Sequence, residues 1–70
     1  MKLEKITLNV EGMSCEHCVK SVKGAVGEID GVSSVEVSLG EKTVTVEYDN
    51  DLVDVSAIKE AIEDQGYDVV

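Results

Sequence analysis

The chain contains no proline, tryptophan, phenylalanine or arginine, and its only aromatic residues are Tyr48 and Tyr67. With so few aromatic rings it offers no platform for stacking nucleic-acid bases, and without arginine it has no guanidinium fork for phosphate. The formal net charge of -9 also opposes contact with a polyanion. Nucleic acid is therefore not expected as a partner.

Long apolar runs are also absent. No segment approaches the roughly 20 apolar residues that cross a bilayer, and the first segment, MKLEKITLNV, lacks the continuous apolar stretch of a secretory signal peptide. We therefore expect a cytoplasmic protein with no membrane insertion. In a reducing cytosol its two cysteines should remain thiols, and a disulfide between neighbours this close in sequence would stabilise almost nothing.

The size of the chain bounds what it can do. Its 70 residues, 43% of them hydrophobic, are sufficient for one small core. We therefore expect a single domain over residues 1–70. A large catalytic cleft is not expected in so small a domain, and the chain is predicted not to be an enzyme.

The first half of the sequence predicts a strand followed by a helix. Apolar and polar residues alternate in KITLNV, as they do in a half-buried strand. From about residue 15 the apolar positions recur three and four residues apart, which is the stripe of an amphipathic helix with Ser14 as its predicted N-cap. The strand would bury Ile6, Leu8 and Val10, and the helix would bury Val19, Val22, Val26 and Ile29.

The second half predicts a hairpin, a second helix and a short last strand. Residues 35–39 and 44–48 alternate in the manner of strands, and the sequence GEK between them reads as a turn. Asp54 is the predicted N-cap of the second helix, Gly66 its stop, and YDVV the last strand. The β-α-β-β-α-β order indicates an α+β, ferredoxin-like sandwich: a four-stranded antiparallel sheet with two helices on one face.

The segment MSCEHC contains Cys15 and Cys18, which form the only cluster of soft metal ligands in the sequence. If Ser14 caps the helix, both thiols lie in its first turn, where exposed backbone N–H groups and the helix dipole stabilise thiolates. Thiolates select Cu(I), and they also bind Zn(II), Cd(II) and Hg(II). Two ligands suit a nearly linear Cu(I) site, whereas structural zinc usually takes four protein ligands, so the ligand count favours Cu(I).

Three alternatives remain open at this point. One is a purely structural or regulatory ferredoxin-like module in which the cysteines are incidental. A CxxC pair at a helix N-terminus is also typical of thiol–disulfide redox proteins, although this chain has no tryptophan before the motif, no proline, and too little length for a thioredoxin fold. Within the metal readings, two thiolates do not by themselves exclude a carrier of mercury, zinc or cadmium.

The sequence GMSCEHC after a strand, together with the later DGV and AIEDQGYDV, resembles a known family. It is similar to the heavy-metal-associated (HMA) domain of copper chaperones and copper-transporting P-type ATPases, and to bacterial copper chaperones of the CopZ type in particular. The resemblance covers essentially the whole chain. It implies a Cu(I) chaperone that delivers its ion by thiolate exchange to the metal-binding domains of such an ATPase. It leaves open whether copper bridges two copies into a homodimer.

The resemblance also implies roles for individual residues. Cys15 and Cys18 would be the Cu(I) ligands. Met13 would anchor the loop in the core instead of binding metal, since methionine commonly fills gaps in cores. Gly12 would shape the loop.

Two further residues, Tyr67 and His17, are expected close to the cysteines. The resemblance implies that Tyr67, which follows the second helix, lies beside the metal loop and shields the site. His17 is expected to be an exposed ring that tunes the thiols or contacts a partner. The alternative is that it binds the metal as a third ligand. Lys20 and Lys23, on the first helix, either meet acidic residues of an ATPase domain or face water.

Overall fold

The computed structural model describes residues 2–14 and 16–70. The order of its elements is the predicted βαββαβ, which is thereby confirmed. The elements are β1 (Leu3–Glu11), α1 (Glu16–Gly27), β2 (Val32–Ser38), β3 (Thr43–Asp49), α2 (Val55–Asp64) and β4 (Asp68–Val69).

The four strands form one sheet in the order β2-β3-β1-β4, and each neighbouring pair is antiparallel. β1 pairs with β3 from Leu3↔Asp49 to Asn9↔Thr43, whereas β4 pairs only with Val10 and Glu11. Because β3 begins where β1 ends, the β2–β3 turn lies at the same end of the sheet as the loop from β1 to α1. The predicted ferredoxin-like sandwich is confirmed.

One hydrophobic core lies between the sheet and the two helices. The alternation in the sequence is realised in β1, where Val10 is fully buried and its neighbour Asn9 is exposed. Both helices turn their apolar stripes toward the same cluster of side chains. The core is formed by Val10, Met13, Val22, Val26, Val44, Val46, Tyr48, Val53, Ile58 and Ile62.

The ends of α2 are set by the residues that the sequence predicted. The side chain of Asp54 accepts a hydrogen bond from the Ala57 backbone N–H at 3.1 Å, as an N-cap does. Gly66 follows the helix with φ +93°, and its N–H donates to the Glu63 carbonyl at 2.9 Å. This glycine turns the chain into Tyr67 and β4, and so brings Tyr67 back to the end of β1.

Three predicted elements were too long. The last strand, predicted as YDVV, is confined to Asp68–Val69. Ile29, placed on the stripe of the first helix, lies after α1 ends at Gly27, although it still packs against the core. Leu39, placed in the second strand, lies in a turn because its carbonyl accepts the Lys42 N–H at 3.3 Å. Neither α1 nor α2 is long and apolar enough to cross a membrane.

Candidate metal-binding site

The loop from β1 to α1 starts at Gly12, whose backbone has the left-handed φ of +98°. A Cβ atom at this position would lie 3.4 Å from Cδ1 of Tyr67. The left-handed backbone is what favours glycine here, because any other residue would be strained in this conformation. This is the local requirement behind the G of the GMSCEHC motif.

Met13, the next residue of the loop, turns into the protein. Its side chain is 7% exposed and belongs to the central hydrophobic cluster. A thioether in this position is surrounded by apolar groups and packs as core methionines do. Ser14, by contrast, is exposed, so the loop is held to the domain through Met13.

Cys18 lies in the first turn of α1, is half-buried and packs against the edge of the core. It therefore sits near the helix terminus, where unpaired N–H groups and the dipole favour a thiolate. Cys15, the other predicted ligand, lies outside the described residues, and the Ser14 cap, which would adjoin it, stays a prediction. His17 is exposed on the same turn.

Tyr67 is brought to the loop by the pairing of β4 with β1. Glu11 is registered with Asp68, so the residue before Asp68 stands beside Gly12, the residue after Glu11. The ring is half-buried against the core and contacts Gly12. The structure thus places Tyr67 beside Gly12, at the start of the loop, whereas its shielding of the metal site stays a prediction.

The described residues contain no larger cluster of candidate metal ligands. Within residues 2–14 and 16–70 there is no group of three or more His, Cys, Asp or Glu side chains able to hold an ion. A zinc site of four protein ligands is therefore not found in this part of the chain. The cysteine pair stays the predicted donor set for a soft ion, and of its two residues the structure describes Cys18.

One feature near the loop was not predicted from the sequence. Lys42, in the β2–β3 turn, has a left-handed φ of 56°, and its carbonyl accepts the Val10 N–H at 2.9 Å. Lysine has no special preference for this conformation, so composition gave no signal. Lys20 and Lys23, which the sequence left open as contacts of a partner or as residues that face water, are both exposed on α1.

Fold and motif together are those of a small metal-binding domain, and the chain belongs to the heavy-metal-associated domain family, whose model matches residues 7–68. The copper chaperone CopZ of Bacillus subtilis (strain 168) is 60% identical over 67 residues, which cover 96% of this chain and 97% of that protein. The resemblance drawn from the sequence is confirmed.

Solved structures support the same placement. A CopZ metallochaperone superposes with a TM-score of 0.94 at 55% identity, covering 96% of this chain and 100% of that one. The N-terminal domain of a potential copper-translocating P-type ATPase from Bacillus subtilis, in its Cu(I)-loaded state, superposes with a TM-score of 0.92 at 35% identity. Its match covers 97% of this chain and 85% of that one. The fold is thus similar to that of a carrier and to that of an ATPase domain.

Proposed function

We propose that this protein is a cytoplasmic copper chaperone and not an enzyme. Residues 1–70 form a single domain that binds Cu(I) through Cys15 and Cys18. It delivers the ion by thiolate exchange to the metal-binding domains of a copper-transporting P-type ATPase. The observation that carries the proposal is the 60% identity to a CopZ copper chaperone across 96% of the chain.

The chemistry of the motif supports this carrier role. Cu(I) prefers soft thiolates and accepts two of them in a nearly linear arrangement. Cys18 is half-buried, so it is partly accessible from outside, and a site of two ligands leaves room for a third. A thiolate of the acceptor can therefore join before a chaperone thiolate departs, and copper never enters water as a free ion.

The residues around the pair hold it in place. Gly12 and Tyr67 pack against each other, and Tyr67 shields one side of the bound ion. Met13 anchors the loop in the core, and Ser14 caps the helix. His17 is exposed and contacts the acceptor or the solvent instead of the ion.

Met13 offers a test that separates packing from ligation. Met13→Leu conserves volume and removes the sulfur, so we expect the Cu(I) dissociation constant to stay within about threefold of the original. Met13→Ala leaves a cavity and should lower the free energy of unfolding by roughly 2–5 kcal/mol. Chelator competition and urea denaturation measure the two effects. A large loss of Cu(I) affinity in Met13→Leu with unchanged stability would make the thioether a ligand.

The delivery step is tested by mixing the Cu(I)-loaded protein with the apo N-terminal domain of a copper-transporting ATPase. The transfer of copper is followed through the NMR signals of the two proteins. Direct exchange predicts that the transfer rate rises with acceptor concentration, because the acceptor takes part in the rate-limiting complex. An acceptor whose own CxxC cysteines are replaced by serine is the matched control and should receive no copper. A rate independent of acceptor concentration would instead indicate release into solution, and would contradict exchange.

A further inference from the structure

The β2–β3 turn, residues 39–42, lies at the end of the sheet where the metal loop begins. Asn9 is registered with Thr43, so the residue before Thr43 stands beside Val10. The last residues of β1 are therefore the point at which the turn and the metal loop meet.

Lys42 makes two backbone hydrogen bonds in different directions. Its N–H donates to the Leu39 carbonyl at 3.3 Å, which closes the turn. Its carbonyl accepts the Val10 N–H at 2.9 Å, which adds the last rung between β1 and β3. In an extended conformation both groups of a strand residue face the neighbouring strand together, and the φ of 56° separates them.

This conformation is unfavourable for lysine. A left-handed backbone brings Cβ close to the following carbonyl oxygen, and glycine alone adopts it without cost. Among the described residues Lys42 is the non-glycine residue with a positive φ. Backbone strain of this kind persists where the surrounding structure requires it, and it tends to occur at functional sites.

The strained residue, Lys42, is hydrogen-bonded to β1 at the point where the chain leaves the strand and enters the metal loop. On one side of β1, the Lys42 carbonyl holds Val10. On the other side, β4 pairs with Val10 and Glu11. The chain then passes directly into Gly12, which packs on Tyr67, and into Met13, which is buried. The strand end is thus clamped from both edges immediately before the loop.

We propose that Lys42 is a positioning residue for the metal loop. Its left-handed backbone lets its N–H close the turn on Leu39 while its carbonyl stays on Val10, and the fixed strand end keeps Gly12 and Met13 in the conformation that presents the cysteine pair. A loop that spends less time in this conformation binds its ion more weakly, in proportion to the lost population. The copper part of this inference rests on the proposed function, whereas the ordering of the loop does not.

Two substitutions in the full chain separate backbone from charge. Lys42→Gly and Lys42→Val both remove the ammonium group, but glycine adopts the left-handed conformation freely and β-branched valine resists it. In the apo protein we expect amide hydrogen exchange of Val10, Gly12 and Met13 to be on the order of tenfold faster in Lys42→Val. In Lys42→Gly it should be unchanged or slower. Lys42→Ala, a milder change, takes the place of Lys42→Val if that variant does not fold.

Copper release is measured on the same variants with a competing Cu(I) chelator. Lys42→Val should release copper at least about threefold faster than the original protein, and Lys42→Gly should match the original. Asp54→Ala is the matched control for stability, because it removes the cap of α2 at the opposite end of the sheet. It should lower the melting temperature. Amide exchange at Gly12 and Met13 should then change no more than this loss of global stability explains.

Three results would overturn the proposal. If Lys42→Val changes exchange at Gly12 and Met13 no more than Asp54→Ala does, the turn contributes only to global stability. If Lys42→Gly behaves like Lys42→Val, the lost charge and not the backbone is responsible. If the loop loosens while copper release stays unchanged, the link to the ion is wrong. Failure of the original protein to bind Cu(I) would instead refute the proposed function, and the apo exchange data would still decide the role of Lys42 in the loop.

Discussion

Replacing either Cys15 or Cys18 by serine is expected to lower the Cu(I) affinity by at least about a hundredfold. Even the mutation of residues that only hydrogen-bond to metal ligands typically lowers metal affinity or activity by about 10–100-fold. Serine keeps the shape of the side chain and replaces a soft thiolate with a neutral, hard hydroxyl. The remaining thiolate cannot complete a two-coordinate site. Competition with a Cu(I) chelator under anaerobic conditions measures the loss.

The fold should survive these substitutions. Cys18 is half-buried at the edge of the core and lies at the start of α1, so exchanging sulfur for oxygen removes little packing. Circular dichroism of the apo variants should be nearly unchanged. Ser21→Ala, at an exposed position on the same helix, is the control and should bind Cu(I) as the original protein does. Unaltered copper affinity in both cysteine variants would contradict the assignment of the ligands.

A large effect on stability is expected at Gly31, between α1 and β2. Its φ is +102°, and an added Cβ would lie 2.8 Å from Cβ of Leu52 and 3.1 Å from Cγ1 of Val53. The conformation alone costs alanine roughly 1–2 kcal/mol, and forcing the neighbours apart costs typically about 1–3 kcal/mol. We therefore expect Gly31→Ala to lower the free energy of unfolding by about 2–5 kcal/mol.

Gly24→Ala provides the matched control for Gly31→Ala. Gly24 lies inside α1, and a Cβ there would meet nothing within 4 Å. Because alanine restricts the unfolded chain and suits a helix, this variant should be more stable by about 0.5–1 kcal/mol. Urea denaturation with comparable slopes measures both changes. Equal effects from the two substitutions would show that the left-handed backbone and crowding at Gly31 do not matter.

The elements that the sequence predicted are those whose signals are local. Alternation of apolar and polar residues marked β1 and β3, and spacing by three and four marked α1, because each pattern reports which side of one element is buried. The cap at Asp54 and the stop at Gly66 are likewise set by hydrogen bonds to residues three positions away. Such features do not depend on where distant parts of the chain lie.

What the sequence did not reveal depends on contacts between distant segments. The hydrogen bond from the Val10 N–H to the Lys42 carbonyl joins residues that are far apart in sequence, and the left-handed backbone of Lys42 lets this bond coexist with the closed turn. The nearness of Tyr67 to Gly12 follows from the pairing of β4 with β1, and the sequence indicated it only through resemblance to a family. The cysteine motif itself was evident, because CxxC after a strand is recognisable without the fold.

Membership of the heavy-metal-associated family restricts the possible functions of the chain more than the cysteine motif alone does. The fold is that of CopZ and of a Cu(I)-loaded ATPase domain, and it differs from the longer fold in which thiol–disulfide redox motifs are typical. A pair of thiolates accepts several soft ions. Under the proposed function, selectivity for copper comes from the preference of Cu(I) for two thiolates, and the choice among ions can be measured directly.

Binding of Cu(I) by the cysteine pair is measured by an anaerobic titration of the reduced protein with Cu(I) against a competing chelator, run in parallel with Zn(II). The same titration is made on Cys15→Ser and Cys18→Ser. We expect tight binding of Cu(I) that outcompetes Zn(II) and is lost in both variants. Weak binding, binding that survives the loss of either cysteine, or a preference for Zn(II) would contradict this expectation.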